Sequence, residues 1–436
     1  MANIVAIVGR PNVGKSTLFN RLVEKKQAIM DDQSGVTRDK NYGYAEWIGK
    51  HFTIIDTGGY VLGSTDKFEK EIRKQVEMAL EECDVILFML DCKSGLTGPD
   101  EDFARVLRNS KKPILIVANK ADNTELTLAA NEFYSLGLSH NIYPVSSSNG
   151  SGTGELLDDL VALFPDAGEI ETNQGIPRIA ILGRPNVGKS SFINALIGED
   201  RSIVTDEAGT TRDAVNSHYN LFGKELILTD TAGVRKKSKV RDNIEFYSVL
   251  RAIHALQDSD VCIIMVDAER GLESQDINLI ALSQRYNKGI IIMINKWDLI
   301  EKESNTAKEI EGSIRAKLGL MDYAPIIFTS VLNKQRIFQV VELAIEVYEN
   351  LQKKIPTSKL NEVMLKEIEK YPPPAVKGKY IRIKYVTQLP ASAPVFAFFC
   401  NSPQYVKAPY QRYLENKIRL HFGFKGVPIR TFFRKK

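Results

Sequence analysis

The eight residues GRPNVGKS occupy positions 9–16 and recur at 183–190. Both copies have the spacing of a phosphate-binding loop, in which glycines let backbone N–H groups close on phosphate oxygens. The helix that follows adds the positive end of its dipole. On this reading Gly9, Arg10, Pro11, Asn12, Val13, Gly14, Lys15, Ser16 and Thr17 form one cradle. Gly183, Arg184, Pro185, Asn186, Val187, Gly188, Lys189, Ser190 and Ser191 form the other. Lys15 and Lys189 would reach the β- and γ-phosphates, and Ser16 and Ser190 would place a hydroxyl on Mg2+. A strand-like run precedes each loop and a helical run follows, the context that separates such a loop from a chance glycine turn.

Further motifs follow each cradle in the same order. DTGG (56–59) and DTAG (230–233) end strand-like runs. There Asp56 and Asp230 can hold Mg2+ through water, and the N–H of Gly59 or Gly233 can sense the γ-phosphate. Thr57, Gly58, Tyr60 and Thr231, Ala232, Val234 complete these loops. Thr37 and Thr211 lie in polar stretches before them, where a threonine can add a second Mg2+ ligand while the triphosphate is present. NKAD (Asn119, Lys120, Ala121, Asp122) and NKWD (Asn295, Lys296, Trp297, Asp298) choose the base. A buried carboxylate accepts from guanine N1–H and N2–H2, whereas adenine would leave it facing unpaired acceptors. Asn119 and Asn295 would tie the loops together, and the lysine stems would cover the base. Ser146 and Ser147 in the first copy, and Ser330 and Val331 in the second, supply further base-contacting loops. The predicted ligands are therefore GTP or GDP with Mg2+. Many such enzymes orient water with a glutamine after DxxG, but here Tyr60 and Val234 stand at that place.

The elements that must position these residues also repeat. Gly9 and Gly183, Thr37 and Thr211, and Asp56 and Asp230 are each 174 residues apart, and Asn119 and Asn295 are 176 apart. Near-continuous apolar runs at 3–9, 52–59, 84–90, 113–120 and 142–147 predict a buried, mostly parallel sheet. The runs at 178–183, 225–233, 260–268, 289–298 and 325–330 repeat it. The fold class is α/β: two tandem P-loop domains with doubly wound sheets (1–165 and 176–351), an acidic linker (166–175) and a small α+β domain (352–436).

That last segment carries 18 Lys and Arg against 4 Glu, a net of +14, which leaves the first 351 residues at −10. Such a charge points to nucleic acid or an anionic surface. A helix is predicted at 358–370, strands at 378–388, 394–400 and 427–433, and a helix at 409–422. Lys377, Lys379, Arg382, Lys384, Arg412, Arg419, Arg430, Arg434, Lys435 and Lys436 could grip phosphates, with Tyr380, Arg382 and Lys384 on one strand face. GFKG (423–426) matches the backbone-clamping GxxG pattern, but its place before a strand makes it a turn. RKKSKVR (235–241) follows DTAG directly and could move with hydrolysis. The four cysteines have no zinc spacing, and no apolar run nears the ~20 residues of a membrane span. A cytoplasmic monomer is expected, with neither membrane nor DNA as partner.

With these residues in hand, the whole chain resembles the Der (EngA) family of bacterial ribosome-assembly GTPases. The doubled GRPNVGKS, GVTRD/GTTRD, DTGG/DTAG and NKAD/NKWD carry the resemblance. It implies a KH-like final domain, a role in large (50S) subunit biogenesis, and the 50S subunit and rRNA as partners. It also implies that Asn12 and Asn186 help hold a K+ ion whose charge takes the part of an arginine finger; Arg38 and Arg212 are nearby alternatives. Two other readings stay open: a nucleotide-sensing RNA-binding module whose hydrolysis is incidental, and a GTPase acting on another RNA or protein.

Overall fold

The computed structural model describes residues 3–24, 42–57, 83–139, 141–164, 175–197, 206–207, 216–221, 224–229, 252–256, 258–301, 303, 305–376, 378–391 and 393–435. Thr37, Arg38, Gly58, Gly59, Tyr60, Thr211, Arg212, Asp230, Thr231, Ala232, Gly233, Val234, the basic run 235–241, Lys377, Lys436 and nearly all of the linker lie outside the described residues. The chain divides into two compact units, Met1–Thr172 and Asn173–Lys436.

The first unit runs β1 (Ile4–Val8), α1 (Lys15–Glu24), β2 (Tyr42–Trp47), β3 (Lys50–Asp56), β4 (Val85–Asp91), α2 (Gly98–Leu107), β5 (Ile114–Asn119), α3 (Thr124–Ala129), β6 (Ile142–Pro144) and α4 (Thr153–Ala162). Its sheet has the order β2-β3-β1-β4-β5-β6. Every residue of β1 and β4 is buried, as a central parallel strand covered on both faces requires. Strand β1 pairs with β3 on one side and β4 on the other. The loop after β1 therefore opens at the point where strand order reverses, the usual ligand position in such sheets. Strand β2, antiparallel to β3 at the sheet edge, was not expected from sequence. Its YGYAEW mixes a glycine and a glutamate with aromatics, and an edge strand needs no continuous apolar run.

The second unit repeats this order with β7 (Arg178–Leu182), α5 (Lys189–Ile197), β8 (Asp206–Glu207), β9 (Asn216–Leu221), β10 (Lys224–Thr229), β11 (Val261–Asp267), α6 (Ser274–Arg285), β12 (Gly289–Asn295), α7 (Thr306–Leu318), β13 (Ile326–Phe328) and α8 (Ile337–Gln352). The sheet order is β13-β12-β11-β7-β10-β9-β8. The short β8 forms the sheet edge, antiparallel to β9, and neither of these two strands is predicted from the sequence.

The basic segment folds as α9 (Thr357–Lys370), β14 (Ile383–Leu389), β15 (Val395–Cys400), α10 (Ala408–Phe422) and β16 (Arg430–Lys435), the predicted element order. Its core is continuous with that of the second sheet: Met293, Val347, Leu351, Phe424 and Val427 belong to one apolar cluster. The GFKG turn makes this junction. The Ile290 N–H donates to Gly426 O (2.7 Å), and the Gly426 N–H donates to Tyr323 O (3.0 Å). The turn thus takes up the β12 N–H that lies beyond the register of β13, and the Gly426 backbone is committed to protein.

Three expectations for the basic residues change accordingly. Arg419 is not a phosphate contact. Its guanidinium lies 4.1 Å from the Tyr323 ring centre and donates to the carbonyls of Phe424 and Val427. Arg430 donates to Arg285 O, 3.1 Å away. Tyr380 and Arg382 precede β14, because Val376 and Lys379 exchange backbone bonds around Gly378 and Asn401 takes up the next backbone groups. A register irregularity between Ile383 and Tyr385 then displaces Lys384, so the three do not form one strand face.

Gly426 has φ +75°, and a Cβ there would lie 2.5 Å from a Val347 methyl carbon. Gly426→Ala should therefore cost the second unit about 2–3 kcal/mol. Urea unfolding followed by Trp297 emission in a Trp47→Phe background measures this, with the half-exposed Lys425→Ala near neutral as control.

Candidate functional site

In each copy the phosphate loop leaves the sheet through two glycines that nothing larger could replace. Gly9 has φ +147°, and a Cβ on it would meet Met89 O at 2.5 Å; Gly183 has φ +146° and would meet Met265 O at 2.4 Å. Gly14 and Gly188 face the side-chain amides of Asn119 and Asn295, which would stand 2.3 and 2.4 Å from an added Cβ. Asn12 and Asn186 turn the loop apex in the left-handed region, at φ +66° and +65°. Helices α1 and α5 then begin at Lys15 and Lys189, aiming their positive ends into the loops.

Lys15 Nζ donates to the carbonyls of Gly9 (2.7 Å) and Arg10 (2.8 Å), and Lys189 Nζ to those of Gly183 (2.6 Å) and Arg184 (2.7 Å). Burial pushes both ammonium groups down to about 8, with Asp56 pulling Lys15 and Asp276 pulling Lys189 the other way. Ser16 Oγ donates to Asp56 Oδ2 at 2.5 Å. The structure thus brings together the hydroxyl and carboxylate that the sequence assigned to Mg2+. Both are hard oxygen donors, the set that suits this ion. Thr57 instead spends its hydroxyl on Ile7 O (2.8 Å), while Thr17 and Ser191 are exposed on the first helical turn.

The NKxD side of the site is held by one amide per copy. Asn119 Nδ2 donates to Val13 O (2.7 Å), and its Oδ1 accepts from the N–H (3.0 Å) and hydroxyl (2.8 Å) of Ser147. Asn295 bonds Val187 O (2.8 Å) and the Val331 N–H (3.1 Å) in the same way. Ser146 Oγ donates to Asp122 Oδ1 at 2.7 Å, and Ser330 Oγ donates to Asp298 Oδ1. Asp122 is not a buried carboxylate: its side chain is 36% exposed and forms a 2.8 Å ion pair with Lys93. Lys93 and then Ser146 hold its carboxyl below the usual range. Asp298 is half-buried. Asp122 lies in the loop just after β5 and Asp298 in a short 3-10 helix (Trp297–Leu299) just after β12, so chain atoms alone do not enclose them. Ala121 and Trp297 are buried beneath, where Trp297 packs on Phe328 at 4.5 Å.

Two pairs of carboxylates escaped the sequence reading. Asp91 and Asp267 each accept from the NKxD lysine, with Lys120 and Lys296 Nζ both at 2.6 Å. Asp100 and Asp276 are fully buried and bind the loop arginines, with Arg10 Nε at 3.2 Å and Arg184 Nε at 3.0 Å. The guanidinium groups of Arg10 and Arg184 thus brace the loop against α2 and α6. Burial pushes the Asp276 carboxyl up, opposed by the Glu273 N–H and by Arg184. Both aspartate pairs repeat at the 176-residue offset of the NKxD motifs, which was the available signal.

Removing Arg184 would leave the buried Asp276 carboxyl without its cation, so Arg184→Ala should cost about 3–5 kcal/mol in urea unfolding of the second unit. A second outcome concerns pH. Phosphate anions favour the charged lysine, so a bound nucleotide raises the Lys15 and Lys189 values above about 8. Binding then takes up protons, and affinity falls as pH rises past that value. Calorimetry at about pH 8.5 in buffers of different ionisation enthalpy reads the uptake, and Lys189→Met should leave only the first site's share.

Comparison with known proteins agrees with this arrangement. The family described as "50S ribosome-binding GTPase" matches residues 4–120 and 178–296. The family described as "KH-domain-like of EngA bacterial GTPase enzymes, C-terminal" matches residues 354–434. The chain is 61% identical over 436 residues to the GTPase Der of Cytophaga hutchinsonii, covering 100% of both chains. It is also 61% identical to that of Amoebophilus asiaticus and 57% to that of Christiangramia forsetii, again over 100% of each chain. Two GTPase domains in tandem, followed by a KH-like domain and matched end to end by these relatives, place this chain in the GTPase Der family.

Proposed function

We propose that this GTPase couples hydrolysis of GTP in two sites to a step in large ribosomal subunit assembly. One observation carries the reading: a doubled, internally braced guanine-nucleotide site shares its second core with a strongly basic KH-like body. The family description as a 50S ribosome-binding GTPase supports the same partner. Lys379, Arg382, Lys384, Arg434 and Lys435 are exposed on the KH-like body, where rRNA phosphates would be gripped by charge. Among the described residues no helix is long and apolar enough to cross a membrane. A cytoplasmic site of action fits this reading.

The chain's own groups perform distinct tasks. Lys15 and Lys189 hold the β- and γ-phosphates beside the backbone N–H groups and helix ends. Asn119 and Asn295 keep base and phosphate loops at fixed separation, so that a bound guanine sets the phosphate position. Ser16 with Asp56, and Ser190 with Asp230, would hold Mg2+, with Thr37 and Thr211 as further ligands. When bound, this ion neutralises charge on the phosphate oxygens. The exposed amides of Asn12 and Asn186 are neutral oxygen donors on the loop apex, suited to a K+ ion.

GTP turnover should be faster in K+ than in Na+, and the Asn12→Ala, Asn186→Ala double variant should lose that difference. Sedimentation with 50S, 30S and 70S particles tests the partner: co-sedimentation with 50S in a non-hydrolysable GTP analogue but not in GDP is expected. Absence of binding in every state would overturn the ribosomal reading and favour a smaller RNA or a protein. Turnover unchanged by 50S particles that do bind would favour the nucleotide-sensing module.

A further inference from the structure

The two base sites are built on the same frame but differ in charge. Position 93 follows Asp91 by two residues, and its counterpart after Asp267 is Glu269. In both copies that residue's N–H donates to the preceding aspartate at 2.9 Å, so the two side chains leave equivalent backbone positions. Lys93 extends its ammonium to Asp122 Oδ2, 2.8 Å away, while Ser146 already occupies Oδ1. Each oxygen of the first base-reading carboxylate thus carries a donor from the chain. Asp298 accepts from Ser330 alone in this way, and among the described residues no cation pairs with it. A second difference acts on the same loop. Arg21 donates to the carbonyls of Ser147 and Ser148, holding Ser146 beside Asp122, and the residue 174 positions later is Ala195.

We propose that Lys93 sets the guanine-nucleotide affinity of the first site below that of the second by holding Asp122 in an ion pair. The inference rests on Asp122 and Asp298 reading guanine. Two effects act in the same direction. The ammonium neutralises the charge that strengthens hydrogen bonds from guanine N1–H and N2–H2. It also occupies lone-pair directions that those donors use. Glu269 brings a negative side chain to the equivalent position, so the second carboxylate keeps its full charge. An exposed pair of this kind is worth about two- to fivefold in an equilibrium.

The test uses the full chain and a fluorescent GDP analogue. Asp298→Asn leaves the first site to be read alone, and Asp122→Asn leaves the second. Adding Lys93→Ala to the first background should tighten binding about two- to fivefold, and added salt should reduce that gain. Adding Glu269→Lys to the second background should weaken binding by a similar factor. Weaker or unchanged binding on Lys93→Ala would overturn the proposal and make Lys93 a support for the carboxylate. So would indifference of the second site to Glu269→Lys. If neither Asp→Asn change removes GDP binding from its own site, the base reading itself fails and the proposal falls with it. Lys93 is 53% exposed, so its replacement leaves the fold intact.

Discussion

One close approach in each copy governs the geometry of the whole site. The side-chain amide of Asn119 enters the back of the phosphate loop and bonds Val13 O, and Asn295 does the same to Val187 O. Only a glycine at Gly14 or Gly188 leaves room for it. The same amide carries the base loop on its other atom, at Ser147 or Val331. The NKxD loop and the glycine-rich loop are therefore two ends of one buried hydrogen-bonded bracket. Displacing it would orphan several buried polar groups at once, each costly to leave unpaired.

The bracket is supported from behind by buried charge. Arg10 and Arg184 connect the loops to Asp100 and Asp276 at the starts of α2 and α6. Lys120 and Lys296 connect the base motif to the ends of β4 and β11 through Asp91 and Asp267. Some of the charged side chains within these motifs are thus committed to bracing the loops from within. Duplication preserved this frame in both copies and left the outer charges free to diverge, as Lys93 against Glu269 shows.

The third segment is mechanically part of the second copy. A shared core through Val347, Phe424 and Val427, the stacked Arg419 and Tyr323, and the Gly426 bonds to β12 and Tyr323 hold it there. The GFKG turn that would clamp a nucleic acid backbone in another setting is consumed by this junction. Basic residues therefore divide in the same way as the motif residues: Arg419 is structural, whereas Lys384, Arg434 and Lys435 remain open to a partner.

Local patterns in the chain were enough to read the doubled phosphate loops, the NKxD motifs, the central parallel strands and the order of elements in the basic segment. These depend on local requirements: glycines where backbone must approach backbone, and apolar runs where a strand is covered on both faces. The marginal strands β2 and β8, and β9 beside β8, were less legible, because the margin of a sheet tolerates polar residues and takes its identity from the neighbour it pairs with. It took the folded chain to show that Arg10 and Arg184 serve Asp100 and Asp276, that Arg419 stacks on Tyr323, and that Lys93 meets Asp122. A charged side chain is equally at home in solvent, on a phosphate or in an ion pair. Its role is set by which opposite charge or ring the folded chain brings within a few ångströms, and that distance is not written in any local pattern.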